Sequence, residues 1–223
     1  MSLREALGTV LDPELDQPIT ELGFVSSATL ADGHAEVRLR LPTYFCAPNF
    51  AYLMVADAHD AVLALPSVSS VDVRLEDHFA AEEINAGVAG GAGFAGSFPG
   101  EATEELDALR TTFRRKAYLA SLDRLAARLA AAGVDPVGLP LGAVPESPEL
   151  TSLLRRRAEL GLTRAPASPL LLDDHGVPID AAEAPLRLRF ARAVRVSIDG
   201  NAGLCRGLLR TRYPEAVMSD LSS

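Results

Sequence analysis

The clearest periodic pattern in the chain is an alternation of apolar and charged residues that ends just before the first cysteine. Over residues 35–41, apolar side chains occupy every second position and charged ones stand between them, which is typical of a half-buried strand. Beyond that strand the apolar spacing changes to three and four, which predicts an amphipathic helix over 48–65 with Pro48 in its first turn. Cys46 therefore lies between a predicted strand and a predicted helix.

Further alternating runs extend this pattern into a small domain. The turn dipeptide Asp32-Gly33 predicts a β-hairpin between a first strand near 24–30 and the strand at 35–41. Another alternation, over 71–75, predicts a third strand after the helix. With a short helix at about 3–10, the predicted order is helix, strand, strand, helix, strand.

The carboxyl ends of the second and third strands are the expected place for a binding site. A strand–helix–strand connection makes its two strands parallel, and open sheets bind ligands beyond the carboxyl ends of parallel strands. If the two strands are neighbours, one rim of the sheet carries Cys46 together with Glu76, Asp77 and His78.

The rest of the chain has mainly helical periodicity. We predict an α+β fold: an N-terminal domain at 1–86 with a three-stranded mixed sheet and helices, a glycine-rich linker or flap at 87–100, and a mainly helical extension at 101–223. Within the extension, alternation over Val194–Ile198 predicts a short strand, followed by a helix over 200–212. That helix contains the second cysteine, Cys205, which we interpret as a packing residue.

Composition and cysteine usage narrow the class of protein. Of the 223 residues, 48% are hydrophobic and 23% charged, which is ordinary for a globular protein. The sequence has no apolar run of membrane-spanning length, and an acidic residue, Glu5, stands where the apolar part of a signal peptide would begin. We therefore expect a cytoplasmic protein with no membrane partner. Since neither cysteine belongs to a CxxC or a Cys/His zinc pattern, reduced thiols are expected.

Charge is distributed unevenly along the chain. Residues 1–86 hold 14 acidic residues against four basic ones, which argues against nucleic acid as a partner. By contrast, residues 187–212 hold seven arginines and one acid, Asp199. This basic segment could dock a partner or pair with the acidic part of the chain. The candidate partner-binding residues are Arg187, Arg189, Arg192 and Arg195.

The position of Cys46 favours a reactive or metal-binding thiol. A thiol at a helix N-terminus faces unpaired N–H groups and the positive end of the helix dipole. These favour the thiolate, the form that binds metal or attacks an electrophile. A free cysteine can also be a small packing residue, and position alone leaves that alternative open.

Several motifs together resemble a known family. The motifs are Asp12-Pro13-Glu14-Leu15, Leu22-Gly23-Phe24-Val25, the hairpin, and Thr43 followed by Cys46 before the amphipathic helix. They resemble the iron-sulfur cluster assembly domain of the SufT and PaaD proteins, over about residues 3–80. The loop departs from the family's Gly-Cys-Pro, because no glycine precedes Cys46 and Ala47 separates it from the proline.

The resemblance implies a pocket that handles iron. Asp12, Glu14, Thr43 and Cys46 would line it, with Tyr44 beside Thr43. Iron prefers thiolate, and carboxylate or imidazole can complete its coordination. The candidate metal ligands are Cys46, Asp12, Glu14, His78 and Asp77. One such cysteine per chain implies that iron or an iron-sulfur cluster binds weakly and transiently, with two chains sharing it or a partner supplying further ligands.

Three functions remain open on these residues. The leading hypothesis is a non-enzymatic accessory factor that assembles clusters or inserts iron into a client metalloenzyme, such as a multicomponent oxygenase. Its helical extension would recognise the client apo-enzyme or cluster-assembly proteins. The alternative is a metal-free folding or assembly adaptor for an oligomeric enzyme. A third function, an enzyme with Cys46 as nucleophile, needs a base, for which His78 is the candidate.

Overall fold

The computed structural model describes residues 1–99 and 103–214, apart from the side chains of 103–105. It has the predicted α+β class, with a three-stranded mixed sheet followed by a mainly helical region. No helix in these described ranges is long and apolar enough to cross a membrane. The elements are α1 (Leu3–Leu7), β1 (Val25–Ala31), β2 (His34–Arg40), α2 (Pro48–Leu63), β3 (Ser70–Glu76), α3 (Ala81–Ala89), α4 (Gly93–Ser97), α5 (Thr103–Ala131), α6 (Pro148–Glu159) and α7 (Ala184–Arg212), with a 3₁₀ turn at Leu141–Ala143.

The sheet confirms the predicted strand pairing. β1 and β2 are antiparallel and are joined by Asp32 and Gly33, whose φ angles of 51° and 80° lie in the left-handed region that tight hairpin turns require. β2 and β3 are parallel neighbours, paired from His34 with Ser70 to Arg40 with Glu76. The carboxyl ends of β2 and β3 therefore lie at one rim of the sheet.

Helix α2 packs its apolar stripe on this sheet because its sequence repeats apolar residues at helical spacing. Val55, Ala58 and Val62 of α2 are fully buried, and they share one hydrophobic core with Val37 of β2. The helix starts at Pro48, as predicted, since proline is well suited to the first helical position. This packing fixes the point at which the chain leaves β2 and enters α2.

The chain forms two compact units. The first comprises Met1–Ala108 and Gly200–Ser223, and the second Leu109–Asp199. Sequence reasoning divided the chain differently, at residues 86 and 101, and placed all of 101–223 in one extension. The first unit instead includes the last part of α7, whose Ala202 and Leu209 belong to its hydrophobic core.

The glycine-rich segment at 87–100 differs from the predicted linker or flap. It contains the end of α3 and all of α4, while Gly100 lies outside the described residues. A Cβ on Gly87 would lie 1.6 Å from the Ser97 hydroxyl oxygen, so this glycine allows α3 and α4 to approach closely. Phe94 of α4 is buried, with its ring 5.3 Å from that of Tyr52.

The second unit has its own hydrophobic core, built from α5, α6 and the loops that follow. Tyr118, Leu122 and Leu153 are fully buried in it. The buried Arg157 guanidinium donates hydrogen bonds to the carbonyl oxygens of Thr163, Pro169 and Leu170. These bonds compensate for the burial of its charge.

The strand predicted at Val194–Ile198 was wrong, because these residues belong to the single helix α7. The buried residues Ala184, Ala191 and Ile198 recur every seven positions. That spacing keeps side chains on one face of a helix but sends successive ones to opposite faces of a strand. The short β-branched alternation was a weaker signal than this longer repeat.

Candidate functional site

Cys46 lies in the loop between β2 and α2, one residue before the helix N-cap Ala47. Its side chain is half-buried, and its sulfur is 3.2 Å from the hydroxyl oxygen of Thr43. Ala47 has no side chain that can cap the helix, and its carbonyl oxygen accepts the amides of Phe50 and Ala51. The loop thus presents a thiol, held by one hydroxyl, at the rim of the sheet.

The loop that carries the thiol is tied to the end of β3 by His78. The buried imidazole ring lies with Nε2 2.7 Å from the carbonyl oxygen of Cys46, and its Nδ1 accepts the amide of Ala80 at 3.2 Å. Since Nδ1 accepts a hydrogen bond, it carries no proton, and the ring is neutral with its proton on Nε2. Burial lowers the pKa of His78, and the nearby Arg212 charge adds to this effect. His78 is thereby a positioning residue for the Cys46 loop.

The end of α7 and the residue after it are hydrogen-bonded to the ends of β2 and β3. Arg212 donates to the carbonyl oxygen of Leu41, 3.0 Å away, and to that of Asp77. The Tyr213 hydroxyl donates to the Asp77 carboxylate at 3.0 Å. Asp77 has a φ of 49°, a left-handed turn that ends β3 and directs His78 back towards the Cys46 loop.

Asp12 organises the loop that precedes the sheet. Its buried carboxylate oxygen Oδ1 accepts the amides of Glu14 and Leu15 at 2.9 and 2.8 Å. The Asp12 amide in turn donates to the carbonyl oxygen of Gln17, which closes the loop. Burial raises the pKa of Asp12 to about 6, although both amide hydrogen bonds oppose the shift. Asp12 therefore shapes the turn, as aspartate does in many loops. Its carboxyl group is also a weaker acid than usual.

Helix α7 brings the second cysteine to this loop. The side-chain amide of Asn201 donates to the Glu14 carboxylate at 3.4 Å, and Arg206 donates to the side chain of Gln17. Cys205 lies between these contacts, half-buried on the core of the first unit. Burial raises the pKa of Cys205 to about 11, and the negative charges of Asp12, Cys46 and Glu14 add to the shift.

Three aromatic side chains beside the thiol form an exposed surface, which we call the aromatic patch: Tyr44, Phe45 and Phe79. The rings of Tyr44 and Phe45 have their centroids 5.0 Å apart, and Phe45 and Phe79 are 5.9 Å apart. Phe45 is 76% exposed. Phe79 follows His78 directly, and the centroids of the two tilted rings are 4.9 Å apart. An exposed apolar group of this kind marks a surface for interaction with another molecule.

The structure distributes the predicted metal ligands over two parts of the site. His78 and Asp77 are at the end of β3, where the imidazole nitrogens and the carboxylate already have hydrogen-bond partners. Asp12 and Glu14 lie in the first loop, on the side facing α7. Among the described residues, no three His, Cys, Asp or Glu side chains lie together as a set that could hold a metal ion. The predicted ligand set, with Thr43 and Tyr44 as pocket residues, remains a prediction.

The arginines predicted to bind a partner fall into two groups. Arg187 is paired with Asp174, and Arg195 with Asp123 and Asp199. Their charges are therefore compensated by acids of the second unit. Arg189 and Arg192 are exposed on α7, and their partner-binding role remains a prediction.

A comparison with protein families identifies the part of the chain that carries Cys46. The family model described as "Iron-sulfur cluster assembly protein" matches residues 2–73. Residues 2–73 are thus similar to iron-sulfur cluster assembly domains. The match confirms the resemblance on which Thr43 and Cys46 were selected. Asp77, His78 and Cys205 lie outside the matched residues.

Curated relatives are similar to this chain over a small part of their own length. The iron-sulfur cluster carrier proteins of Mycobacterium bovis and Mycobacterium tuberculosis are each 40% identical to this chain over 76 residues. Those residues make up 34% of this chain and 19% of each relative, so the chain spans about a fifth of the length of the curated relatives that it matches. No solved structure was found to match the chain.

Sequence reasoning missed the neighbours that α7 contributes to the site. Asn201, Arg206 and Arg212 hydrogen-bond to residues more than 130 positions earlier in the chain. No local pattern encodes such a contact. The one signal available was the apolar spacing of Ala202 and Leu209, which indicates a buried face around Cys205 but does not say what covers it.

Proposed function

We propose that this chain is an accessory factor that carries iron or an iron-sulfur unit through a Cys46-centred site and passes it to a client metalloenzyme. The observation that carries the proposal is the setting of Cys46: a half-buried thiol in a region similar to iron-sulfur cluster assembly domains, presented at the sheet rim beside the exposed aromatic patch. The relatives named as iron-sulfur cluster carrier proteins support the same direction. We place this activity in the cytoplasm, where thiols stay reduced.

The donor chemistry of the site fits iron as cargo. Thiolate sulfur is the preferred ligand of iron-sulfur units, and the carboxylates of Asp12 and Glu14 can supply oxygen. Since the described residues offer no complete set of ligands, a bound unit would retain open positions. An open site holds its cargo weakly, which suits transfer to an acceptor rather than storage.

We further propose that the client or a cluster-assembly protein docks over the aromatic patch and brings the missing ligands. In the second unit, α7 exposes Leu186 and Phe190 next to Arg189 and Arg192, a mixed apolar and basic surface suited to recognising an acidic partner. A multicomponent oxygenase is the type of client that such a dedicated extension would serve. A second copy of the chain is the other candidate for completing the ligand set.

Anaerobic reconstitution with ferrous iron and sulfide tests this function. The wild type, Cys46→Ala and Cys46→Ser are desalted and compared by iron and sulfide content, absorption spectra and mass in solution. The proposal expects iron and sulfide in the wild type and their loss in both variants. Equal iron in the wild type and Cys46→Ala would overturn it. Iron content per chain and the mass distinguish a cluster held by one chain from one shared by two.

A second candidate is a metal-free folding or assembly adaptor for an oligomeric enzyme, which the exposed aromatic patch also favours. Cys46→Ala separates the two functions, because an adaptor keeps both client binding and client activity whereas a carrier keeps binding and loses maturation. The enzyme alternative required His78 as a base for Cys46. In the structure His78 is hydrogen-bonded to the carbonyl oxygen of Cys46 rather than to its sulfur.

A further inference from the structure

The second thiol of the chain, Cys205, lies on the face of α7 that packs on the first unit. Ala202 and Leu209, three residues before it and four after it, are buried in the hydrophobic core of that unit. Positions at i, i+3 and i+7 share one helix face. Cys205 is therefore on the inner side of α7. It lies outside residues 2–73, which the family model matches.

Two contacts flank Cys205 and locate it relative to Cys46. One turn earlier, Asn201 bonds to Glu14, which belongs to the loop closed by Asp12. Two turns later, Arg212 bonds to the carbonyl oxygen of Leu41, the residue at the end of β2 from which the Cys46 loop starts. The segment of α7 with Cys205 thus runs from the Asp12 loop to the start of the Cys46 loop.

Cys46 and Cys205 share one environment. Both side chains are half-buried, and both pack against the same hydrophobic core. Burial is the main cause of the raised pKa of Cys205, and electrostatic interactions with Asp12, Cys46 and Glu14 add to it. Thiol sulfur is the ligand that soft metals and iron-sulfur clusters select.

We propose that Cys205 is a second sulfur ligand at the Cys46 site, so that one chain offers two thiols to its iron-sulfur cargo. The identity of the cargo rests on the function proposed above, but the pairing of the two thiols does not. As each sulfur binds iron, its S–H bond breaks, an Fe–S bond forms and the proton passes to solvent, with no electron transferred. An iron-sulfur cluster takes four protein ligands, so two thiols leave two positions for an acceptor.

A trivalent arsenical tests the pairing without iron. Phenylarsine oxide reacts with two close thiols to give a cyclic dithioarsenite and water, and that adduct resists excess 2-mercaptoethanol, whereas adducts of single thiols exchange. Native mass spectrometry of the full chain, at low concentration, should show one retained arsenical per wild-type monomer. Cys46→Ser and Cys205→Ser should each retain none. Leu204→Ser, at an exposed neighbouring position, should retain one and controls for changes in α7.

Reconstitution with ferrous iron and sulfide then tests the role as ligand. Cys205→Ser should lose iron to a competing chelator about 10-fold faster than the wild type and Leu204→Ser. If the wild type retains no arsenical, the pairing is overturned even when iron depends on Cys46. If the arsenical bridge forms but no variant binds iron, the pairing stands and the proposed function fails. Iron retention that is unchanged in Cys205→Ser would overturn the role of Cys205 as a ligand.

Discussion

The imidazole of His78 donates a 2.7 Å hydrogen bond to the carbonyl oxygen of Cys46, 32 residues earlier in the chain. This bond connects the end of β3 to the loop that carries the thiol. Because Nδ1 of the same ring accepts a hydrogen bond from the Ala80 amide, both ring nitrogens are hydrogen-bonded to backbone groups. The position of the Cys46 sulfur therefore depends on a residue outside the matched family region.

Removing this ring should loosen the thiol loop. His78→Ala loses both hydrogen bonds and leaves a cavity, so we expect the free energy of unfolding to fall by about 1–3 kcal/mol. Alkylation of Cys46, followed by mass spectrometry, should become several-fold faster. His78→Gln places an amide donor near the Nε2 position and should restore much of the protection. Equal alkylation rates in the wild type and His78→Ala would contradict the positioning role.

The same ring should make the fold sensitive to acid. The pKa of His78 is lowered in the fold, so below about pH 6.5 the unfolded chain takes up a proton that the folded ring resists. The contribution of His78 to the free energy of unfolding is fully present above that pH and falls as the pH decreases through it. Urea midpoints measured between pH 7.5 and 5.5 should fall more for the wild type than for His78→Gln. NMR titration of the ring should give a midpoint below that of a free histidine.

Asp12 should have the opposite effect on the pH dependence of stability: its contribution becomes more favourable as the pH falls. Its pKa is raised to about 6, so the folded chain holds the proton more tightly than the unfolded chain. The buried charge then costs stability above pH 6, and this cost disappears as the pH falls to about 4. Asp12→Asn keeps an acceptor for the Glu14 and Leu15 amides without the charge. We expect it to stabilise the apo-protein at pH 7 by on the order of 2 kcal/mol, and not at pH 4.

Asp12→Ala is the matched control for the hydrogen bonds. It leaves two backbone amides without their acceptor and should destabilise the protein by about 1–2 kcal/mol at pH 7. Urea denaturation of both variants at pH 7 and pH 4 makes the comparison. If the two variants behave alike, neither the charge nor the amide hydrogen bonds have the role described here.

Phe45 should matter for delivery and not for stability. Its ring is 76% exposed, so Phe45→Ser should change the free energy of unfolding by no more than about 0.5 kcal/mol. Iron loading should be unchanged, while transfer to an acceptor should slow several-fold. Leu63→Ser is a matched control, since Leu63 is also exposed but lies at the opposite end of α2, roughly 22 Å along the helix. Equal transfer rates in Phe45→Ser and Leu63→Ser would show that the aromatic patch has no role in delivery.

Leu209 tests whether the end of α7 belongs to the first unit. Leu209→Ala removes a buried side chain from the core and should cost about 2–4 kcal/mol. Hydrogen exchange should show faster opening of β2 and α2. Leu208→Ala, at a neighbouring exposed position, should have little effect. Unchanged exchange in Leu209→Ala would mean that the β2–α2 part of the first unit does not depend on this helix.

The parts of the fold that could be predicted are those with local signals. Asp32-Gly33 specified the hairpin, and the change of period around Cys46 placed the thiol between β2 and α2. The family motifs Asp12-Pro13-Glu14-Leu15 and Thr43 pointed to the same loops. Each of these signals lies within a few residues of the feature that it predicts.

The part that could not be predicted depends on contacts between distant segments. Asn201 and Glu14 are 187 residues apart, and no pattern near either residue indicates the other. The alternation at Val194–Ile198 was read as a strand because a five-residue window cannot show the seven-residue repeat of α7. Cys205 packs against the core of the first unit, as predicted, but no local pattern indicated which loops lie beside this part of α7.

The most direct test of the central claim is transfer of an iron-sulfur cluster from the reconstituted full chain to an apo-ferredoxin under anaerobic conditions. Circular dichroism follows formation of the holo-ferredoxin, and a chelator in the buffer removes iron released into solution. We predict that the wild type delivers cluster faster than free iron and sulfide do, and that Cys46→Ala does not. Equal delivery by the wild type and Cys46→Ala would contradict the account.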